Sequence, residues 1–243
     1  GMFDASRTTF CPGYYEVGNR KFKCEGRHGA VSFKRALTVS CNTYFYELGI
    51  RAGREGIVKA GDSAGLGRRQ GIDLLGEGKG LLPTEDWIRA VQGKKKDEKF
   101  EWYMGSTANI SIGQGDILTT PLQMAGVASM VANGGVLHRP HILKSRVPAG
   151  SSQKAMPTSD EIVGEWRNMP GFWATMRDAM IEVLQSGTAK VGTDVGSVWG
   201  GKTGSSQHKT GSKTHSWFIG FAPADNPIIA IAVVVEAAGH GGE

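Results

Sequence analysis

The sequence predicts an α/β fold of the α+β type, an antiparallel sheet packed against helices. Three observations point there. Capped, helix-periodic segments occupy most of the chain before its end. Three apolar runs with short links then close it, and sequential strands joined in that way pair antiparallel most readily. No internal repeat or linker divides the 243 residues, so one domain over 1–243 is expected.

The first thirty residues are turn-rich, with short strands expected at YYEV and RKFKC. VSFKRALTVSCNTYFYELGIRAG (31–53) fits two helices, one before and one after Ser40. The junction VSCNT suits a cap or turn, because Ser and Asn side chains satisfy open backbone N–H groups. IVKAGDSAGLG continues the helix until its glycines stop it. In GLLPTEDWIRA, Thr84 is the expected N-cap, with Glu85 and Asp86 in the first turn where the helix dipole favours acids.

ANISIGQGDILTTPLQMAGVASMVANGG carries the clearest helix signal. Thr120 and Pro121 open it, Leu122, Ala125, Ala128, Met130 and Val131 form an apolar face, and Asn133-Gly134-Gly135 ends it. VLHRPHILKSRV reads as a strand pair broken by Pro140, and SSQKAMPTSD as a surface loop. FWATMRDAMIEVLQSGTA reads as a second strong helix stopped at Gly187. SVWGGKTG, HSWFIGFAP and PIIAIAVVVE read as the closing strands.

A formal charge of +5 permits an anionic ligand but does not make a nucleic-acid binder. The basic run GKKKDEKF at 93–100 is interrupted by acids and reads as a solvated loop. No apolar stretch reaches membrane-spanning length. Cys11 and Cys24 bracket a short loop that can close as a disulfide or remain as thiols. Their spacing is wide for half of a zinc site, and no matching pair follows. His138 and His141 lack acidic or thiol neighbours in the sequence, so no metal and no cofactor is expected.

Two places can carry chemistry. Lys202, Thr203 and Gly204 end an apolar strand, followed by the hydroxyls of Ser205 and Ser206. A point charge beside small donors, with a glycine for close approach, suits a carboxylate laid along a strand edge; the plainer alternative is a strand end with a solvated lysine. A P-loop is excluded, because Gly196 and Gly201 have the spacing but no helix follows Lys202. Ser40 and Asn42, two apart on a helix-joining turn, can both face a cleft, or simply cap a helix.

SCNTYFYELG, followed far downstream by GKTGSSQ, HSWFIGFAP and IAVVVE, resembles the transpeptidase domain of the class B penicillin-binding proteins. The likeness is closest to the penicillin-binding protein 2 branch of cell elongation. GIDL at 71–74, GLLPTEDW at 80–87 and SIGQGDILTTPLQMAGVASMVANGG at 111–135 agree in the family's order. The resemblance implies a serine acyl-enzyme that cuts the D-Ala-D-Ala bond of a stem peptide and passes the acyl group to a neighbouring amine. It implies Ser40 as relay serine and Asn42 as binder of the substrate amide. Lys202, Thr203 and Gly204 become the third motif, Thr203 and Ser205 sit near the substrate carboxylate, and the Ser205 N–H is half of an oxyanion hole. It also implies β-lactam binding, cell-elongation membrane proteins as partners, and a periplasmic domain on an inner-membrane anchor. A serine β-lactamase or D,D-carboxypeptidase of the same superfamily, or a non-catalytic β-lactam-sensing module, are the alternatives.

The departure is the first motif. No Ser-x-x-Lys precedes Ser40; the string occurs only at Ser151–Lys154, in the polar loop, and at Ser206–Lys209, behind the third motif. The chain is therefore expected to be an internal piece, incomplete at both ends, inactive alone, and prone to self-associate through uncovered apolar faces.

Overall fold

The computed structural model describes residues 4–147, 156–169, 171–189, 198–207, 213–239 and 241. β1 (Thr8–Cys11) pairs antiparallel with β4 (Gly29–Ser32), and between them β2 (Tyr14–Val17) and β3 (Arg20–Lys23) form a hairpin. β2 and β3 are the strands expected from their alternation. β1 and β4, equally short, are not among the strands expected from the sequence and are defined by their pairing with each other.

Ser32 caps α1 (Phe33–Thr38) by accepting from the Arg35 N–H, and α2 (Asn42–Ser63) follows after a tight turn. Gly53 interrupts α2 at φ 69°, ψ 170°, a combination that only glycine adopts readily. Thr84 caps α3 (Glu85–Val91) by accepting from the Trp87 N–H. The helix expected to open at Thr120 and Pro121 and to end at Asn133 is α5 (Pro121–Asn133); α4 (Met104–Ser111) is a separate helix before it, and Gly113 and Gly115, both at φ 75°, break the path between the two. Thr120 and Gln123 close a full capping box at the start of α5.

β5 (Val136–His138) and β6 (Ser145–Arg146) do not pair with each other. β5 pairs with β8 (Ile162–Glu165) and β6 with β7 (Met156–Pro157), since Pro140 lacks the N–H a continuous ladder needs. The Ser151–Lys154 string lies outside the described residues, as do His208 and Lys209. α6 (Phe172–Ser186) leads to the closing meander of β9 (Gly200–Ser206), β10 (His215–Ala222) and β11 (Ile229–Val235), in sheet order β11-β10-β9.

α5 packs on β11 and β10, and α6 packs on β9. Val131, Met180 and Phe221 are buried at that junction, each worth about 1.5–3 kcal/mol of apolar transfer. A second cluster of Cys11, Val31, Phe33, Ala36, Cys41 and Tyr44 lies around the first turn of α2. Ile229, Val233 and Val235 stay exposed along β11. Among the described residues no helix is long and apolar enough to cross a membrane.

α2 and α4 touch through Gly49. A Cβ built there would lie 2.2 Å from the Ser111 Cβ. Gly49→Ala is therefore expected to destabilise the chain by about 1–3 kcal/mol in urea unfolding, despite the better helix propensity of alanine. An unchanged midpoint would show that the two helices can part at no cost.

Candidate active site

Four elements converge on one cleft. α1 ends against α6, so the turn after α1 meets the segment that follows α6. Ser40 stands in that turn at φ 53°, a left-handed conformation that costs a non-glycine residue roughly 1–2 kcal/mol. The Cys41 N–H donates to the Ala36 carbonyl at 2.8 Å and the Ser40 N–H to Leu37 at 3.3 Å, which folds the chain back and turns the Ser40 side chain toward β9.

There the Lys202 ammonium donates to the Ser40 hydroxyl at 2.5 Å and to the Thr203 carbonyl at 2.9 Å. Burial, with no carboxylate partner among the described residues, disfavours the charged amine, and its pKa falls from 10.5 to about 8. Near neutral pH the amine is thus within reach of losing its proton. Two glycines put it there: a Cβ at Gly200 would lie 2.3 Å from the Phe221 ring, and one at Gly201 2.4 Å from the Phe218 ring. The two rings of β10 thus lie on opposite faces of this bare stretch of β9, Phe221 on the face that carries Lys202.

The cleft has a volume of about 480 Å³ and is lined by Ser40, Asn42, Lys202, Thr203, Gly204 and Ser205, together with Gln114 and Thr188. All six residues singled out from the sequence thus share it. Gln114 and Thr188 were not singled out. Thr188 Oγ1 lies 3.4 Å from the Ser40 hydroxyl and 3.2 Å from the Thr203 hydroxyl, bridging the turn and the strand. Gln114 Nε2 donates to the Ser205 carbonyl at 2.8 Å.

That last bond fixes the strand's orientation. In an antiparallel ladder a residue either exchanges both backbone bonds with its partner or turns both away. The Ser205 carbonyl turns away from Ser216, its partner on β10, so the Ser205 N–H shares the open edge of β9 with it. The Ser205 hydroxyl accepts from the Gly241 N–H at 2.9 Å.

Beside the cleft lies a cluster that sequence spacing did not reveal. Cys11 at the end of β1, Cys24 just past β3, His28 just before β4 and Cys41 at the cap of α2 place their donor atoms within 4.8 Å of one another. The three cysteines are unbridged, so the Cys11–Cys24 loop is not closed by a disulfide here. His28 Nδ1 lies 3.6 Å from the Cys11 sulfur and 3.5 Å from that of Cys24. Sulfurs around a tetrahedral zinc sit about 3.8 Å apart, so three thiols and one imidazole at these separations can hold a soft divalent cation with little movement. The expectation of no metal site rested on looking for a second cysteine pair. His28 and Cys41 take that pair's place, brought in by the β1–β4 pairing. His138 instead faces Asp160, at 2.6 Å on the surface.

The cleft thus holds a desolvated amine on a hydroxyl, at the open edge of a glycine-bared strand. The family model for the penicillin binding protein transpeptidase domain matches residues 1–243, and the chain belongs to that family. It is 34% identical over 262 residues to peptidoglycan D,D-transpeptidase MrdA of Acinetobacter baumannii, covering 100% of this chain and 38% of that protein. The chain thus spans about two fifths of the length of this relative. Penicillin-binding protein 2 of Pseudomonas aeruginosa, in complex with WCK 5153, superposes with a TM-score of 0.86 at 32% identity, covering 100% of this chain and 52% of that one. The Helicobacter pylori PBP2 in complex with MreC gives 0.78 at 27% identity, covering 99% and 43%. The class B assignment and the α/β fold read from the sequence both stand.

Proposed function

We propose that the chain builds the relay and substrate-binding walls of a peptidoglycan D,D-transpeptidase. The observation that carries this reading is the 2.5 Å contact of Lys202 with Ser40, inside a cleft that Asn42, Thr203 and Ser205 also line. In this reading a stem peptide lies extended along β9. The hydroxyls of Thr203 and Ser205 take its terminal carboxylate, with Lys202 supplying charge. Asn42 holds the amide before the scissile bond, and the Ser205 N–H meets the oxyanion as it forms. Ser40 hands a proton between Lys202 and the leaving amine, with Thr188 keeping its hydroxyl in line. A β-lactam, with its carboxylate and strained amide, fits the same groups.

No serine lining the cleft among the described residues is followed three positions later by lysine. We therefore assign the nucleophile to none of them, and 1–243 alone transfers no acyl group. The working enzyme is a longer, inner-membrane-anchored protein with this domain in the periplasm. The H. pylori PBP2–MreC complex supports a cell-elongation membrane protein as partner. The exposed row Ile229, Val233 and Val235 supports self-association of the isolated chain, read as a sedimentation mass above 25.9 kDa. A monomer at tens of micromolar would refute that part.

Fluorescent penicillin tests the assignment. It is expected to label covalently a longer protein containing this chain, and to leave 1–243 unlabelled. Ser40→Ala in the longer protein is expected to slow labelling by about 10²–10⁴-fold, the range of a positioned proton-transfer group. Labelling of 1–243 itself, or a Ser40→Ala rate equal to wild type, would overturn the reading.

A further inference from the structure

We infer that Glu25, in the link between β3 and β4, binds the ammonium of the incoming amine and so forms an acceptor subsite of the cleft. The inference rests on the transpeptidase reading and names a residue for the second reactant. Its first support is charge. Among the described residues that line the cleft, Glu25 is the one acid and Lys202 the one base. The two do not neutralise each other. Among the described residues no ion pair or hydrogen bond engages the Glu25 carboxylate, neither from Lys202 nor from Lys23 and Arg27, the cations two residues to either side. The donor's carboxylate is served by Lys202 and the hydroxyls of β9. An acid in the same cleft complements the other reactant, which arrives as a cation.

The second support is placement. The backbone is held on both sides of Glu25: the Cys24 N–H donates to the Gly13 carbonyl at 2.9 Å, and the Gly26 carbonyl accepts from the Cys11 thiol at 3.4 Å. A fixed backbone beneath an unpartnered side chain sets a negative charge at a defined place, and a concave site focuses that charge on an arriving cation. The third support is what surrounds it. Phe45, three residues after Asn42 on α2, and Ile112, the C-cap of α4, line the same cleft. Both offer apolar surface to a carbon chain. The ligand class is therefore a primary ammonium on a short alkyl stem, its head on Glu25 and its stem against Phe45 and Ile112.

Glu25 itself makes no covalent bond. The bound ammonium gives one proton to water, and its nitrogen attacks the carbonyl carbon of the acyl ester carried by the longer protein's nucleophile. The C–N bond forms and the ester C–O bond breaks. A second proton leaves the nitrogen and passes by way of Lys202 and Ser40 to the departing oxygen, while the third stays on the new amide. Holding the amine beside the ester raises its effective concentration against water, the competing nucleophile. Loss of Glu25 thus moves the division between transfer and hydrolysis, not the formation of the acyl-enzyme.

The test uses the longer protein with an acyl-peptide thioester as donor and Nα-acetyl-lysinamide as acceptor, and reads the ratio of amide to hydrolysis product. Glu25→Gln is expected to lower that ratio about five- to tenfold, the loss of one charge-assisted contact at a solvent-reached site. The rate of fluorescent penicillin labelling, which needs no acceptor, should hold. Hydroxylamine is uncharged at neutral pH, so with it as acceptor the ratio should match wild type. Glu25→Asp, which keeps the charge on a shorter arm, should recover part of the loss, and Glu25→Lys should deepen it. Absence of penicillin labelling in the wild-type longer protein would sink the transpeptidase reading and this one with it. Normal labelling with an unchanged ratio in Glu25→Gln, or an equal fall with hydroxylamine, sinks the acceptor subsite alone. A labelling rate that falls as far as the ratio would make Glu25 a donor-side or structural group and overturns it too.

Discussion

Lys202→Met is expected to make the chain more stable at pH 7 while abolishing acyl transfer in the longer protein. The amine is largely withdrawn from water with a hydroxyl and a carbonyl as partners and, among the described residues, no counter-ion, so folding costs more when it is charged. The fall in pKa from 10.5 to about 8 corresponds to an energy on the order of 3 kcal/mol. The sign follows from proton counts. Between pH 8 and 10.5 the unfolded lysine binds more protons than the folded one, so wild-type stability rises with pH through that window. The penalty is complete below the folded pKa and gone above the unfolded one. Urea unfolding should therefore show Lys202→Met ahead by about 1–3 kcal/mol at pH 7, after allowing for the lost hydrogen bonds, and behind wild type by those bonds, about 0.5–2 kcal/mol, above pH 10.5. Penicillin labelling of the longer protein should fall by at least about 10³-fold, the trade of stability for function expected of a strained site. A methionine variant less stable than wild type at pH 7 would mean that the lysine is held by its partners more than it is penalised by burial.

The largest loss of stability from one side chain is expected at Gln123. It is fully buried on α5, and its Nε2 lies within bonding distance of the carbonyls of Arg68 at 2.9 Å, Lys79 at 3.0 Å and Gly65 at 3.4 Å. Its Oε1 accepts from the Thr120 N–H at 2.9 Å, closing the capping box. One amide therefore pins both ends of the 65–80 segment to the helix that supports β10 and β11. Gln123→Leu keeps the volume but leaves these backbone groups unpaired away from water. The expected cost is about 3–5 kcal/mol, or a melting point lower by about 10 °C or more. Gln123→Glu, which at neutral pH turns a carboxylate toward these carbonyls in a buried site, should cost at least as much as leucine. A leucine variant within 1 kcal/mol of wild type would mean that water enters and takes over the bonds.

The sequence discloses what is local. Thr84 and the Thr120-Pro121 pair mark helix starts because a cap is a contact across three residues, and the closing meander is legible because its strands follow one another. The cleft was legible through motif resemblance, since Ser40 and Lys202 are 162 residues apart and no periodicity relates them. What stayed hidden depends on chain meeting chain. β1 and β4 gain their identity only by pairing, and Gln123 looks like one more capping residue until the 65–80 segment arrives over it. The metal-capable cluster hid for the same reason. Cys11 and Cys24 stand a wide gap apart in sequence, and the closing ligands come from a histidine before β4 and from the middle of the Ser-x-Asn motif.

The break in α2 at Gly53 has a mechanical meaning. An unbroken rod of 22 residues would carry a push at its far end straight to the Asn42 end. That far end borders a second hollow of about 480 Å³, walled by Arg54, Val58, Leu66 and Trp87 among others. With a joint at Gly53 the two halves answer to different neighbours: the first to Ser111 and the cleft, the second to Pro83 and Glu85, which Arg54 grips at 3.2 and 3.1 Å. Residues around the distal hollow are thereby less rigidly tied to the cleft wall, with room to drift while Ser40 keeps its place.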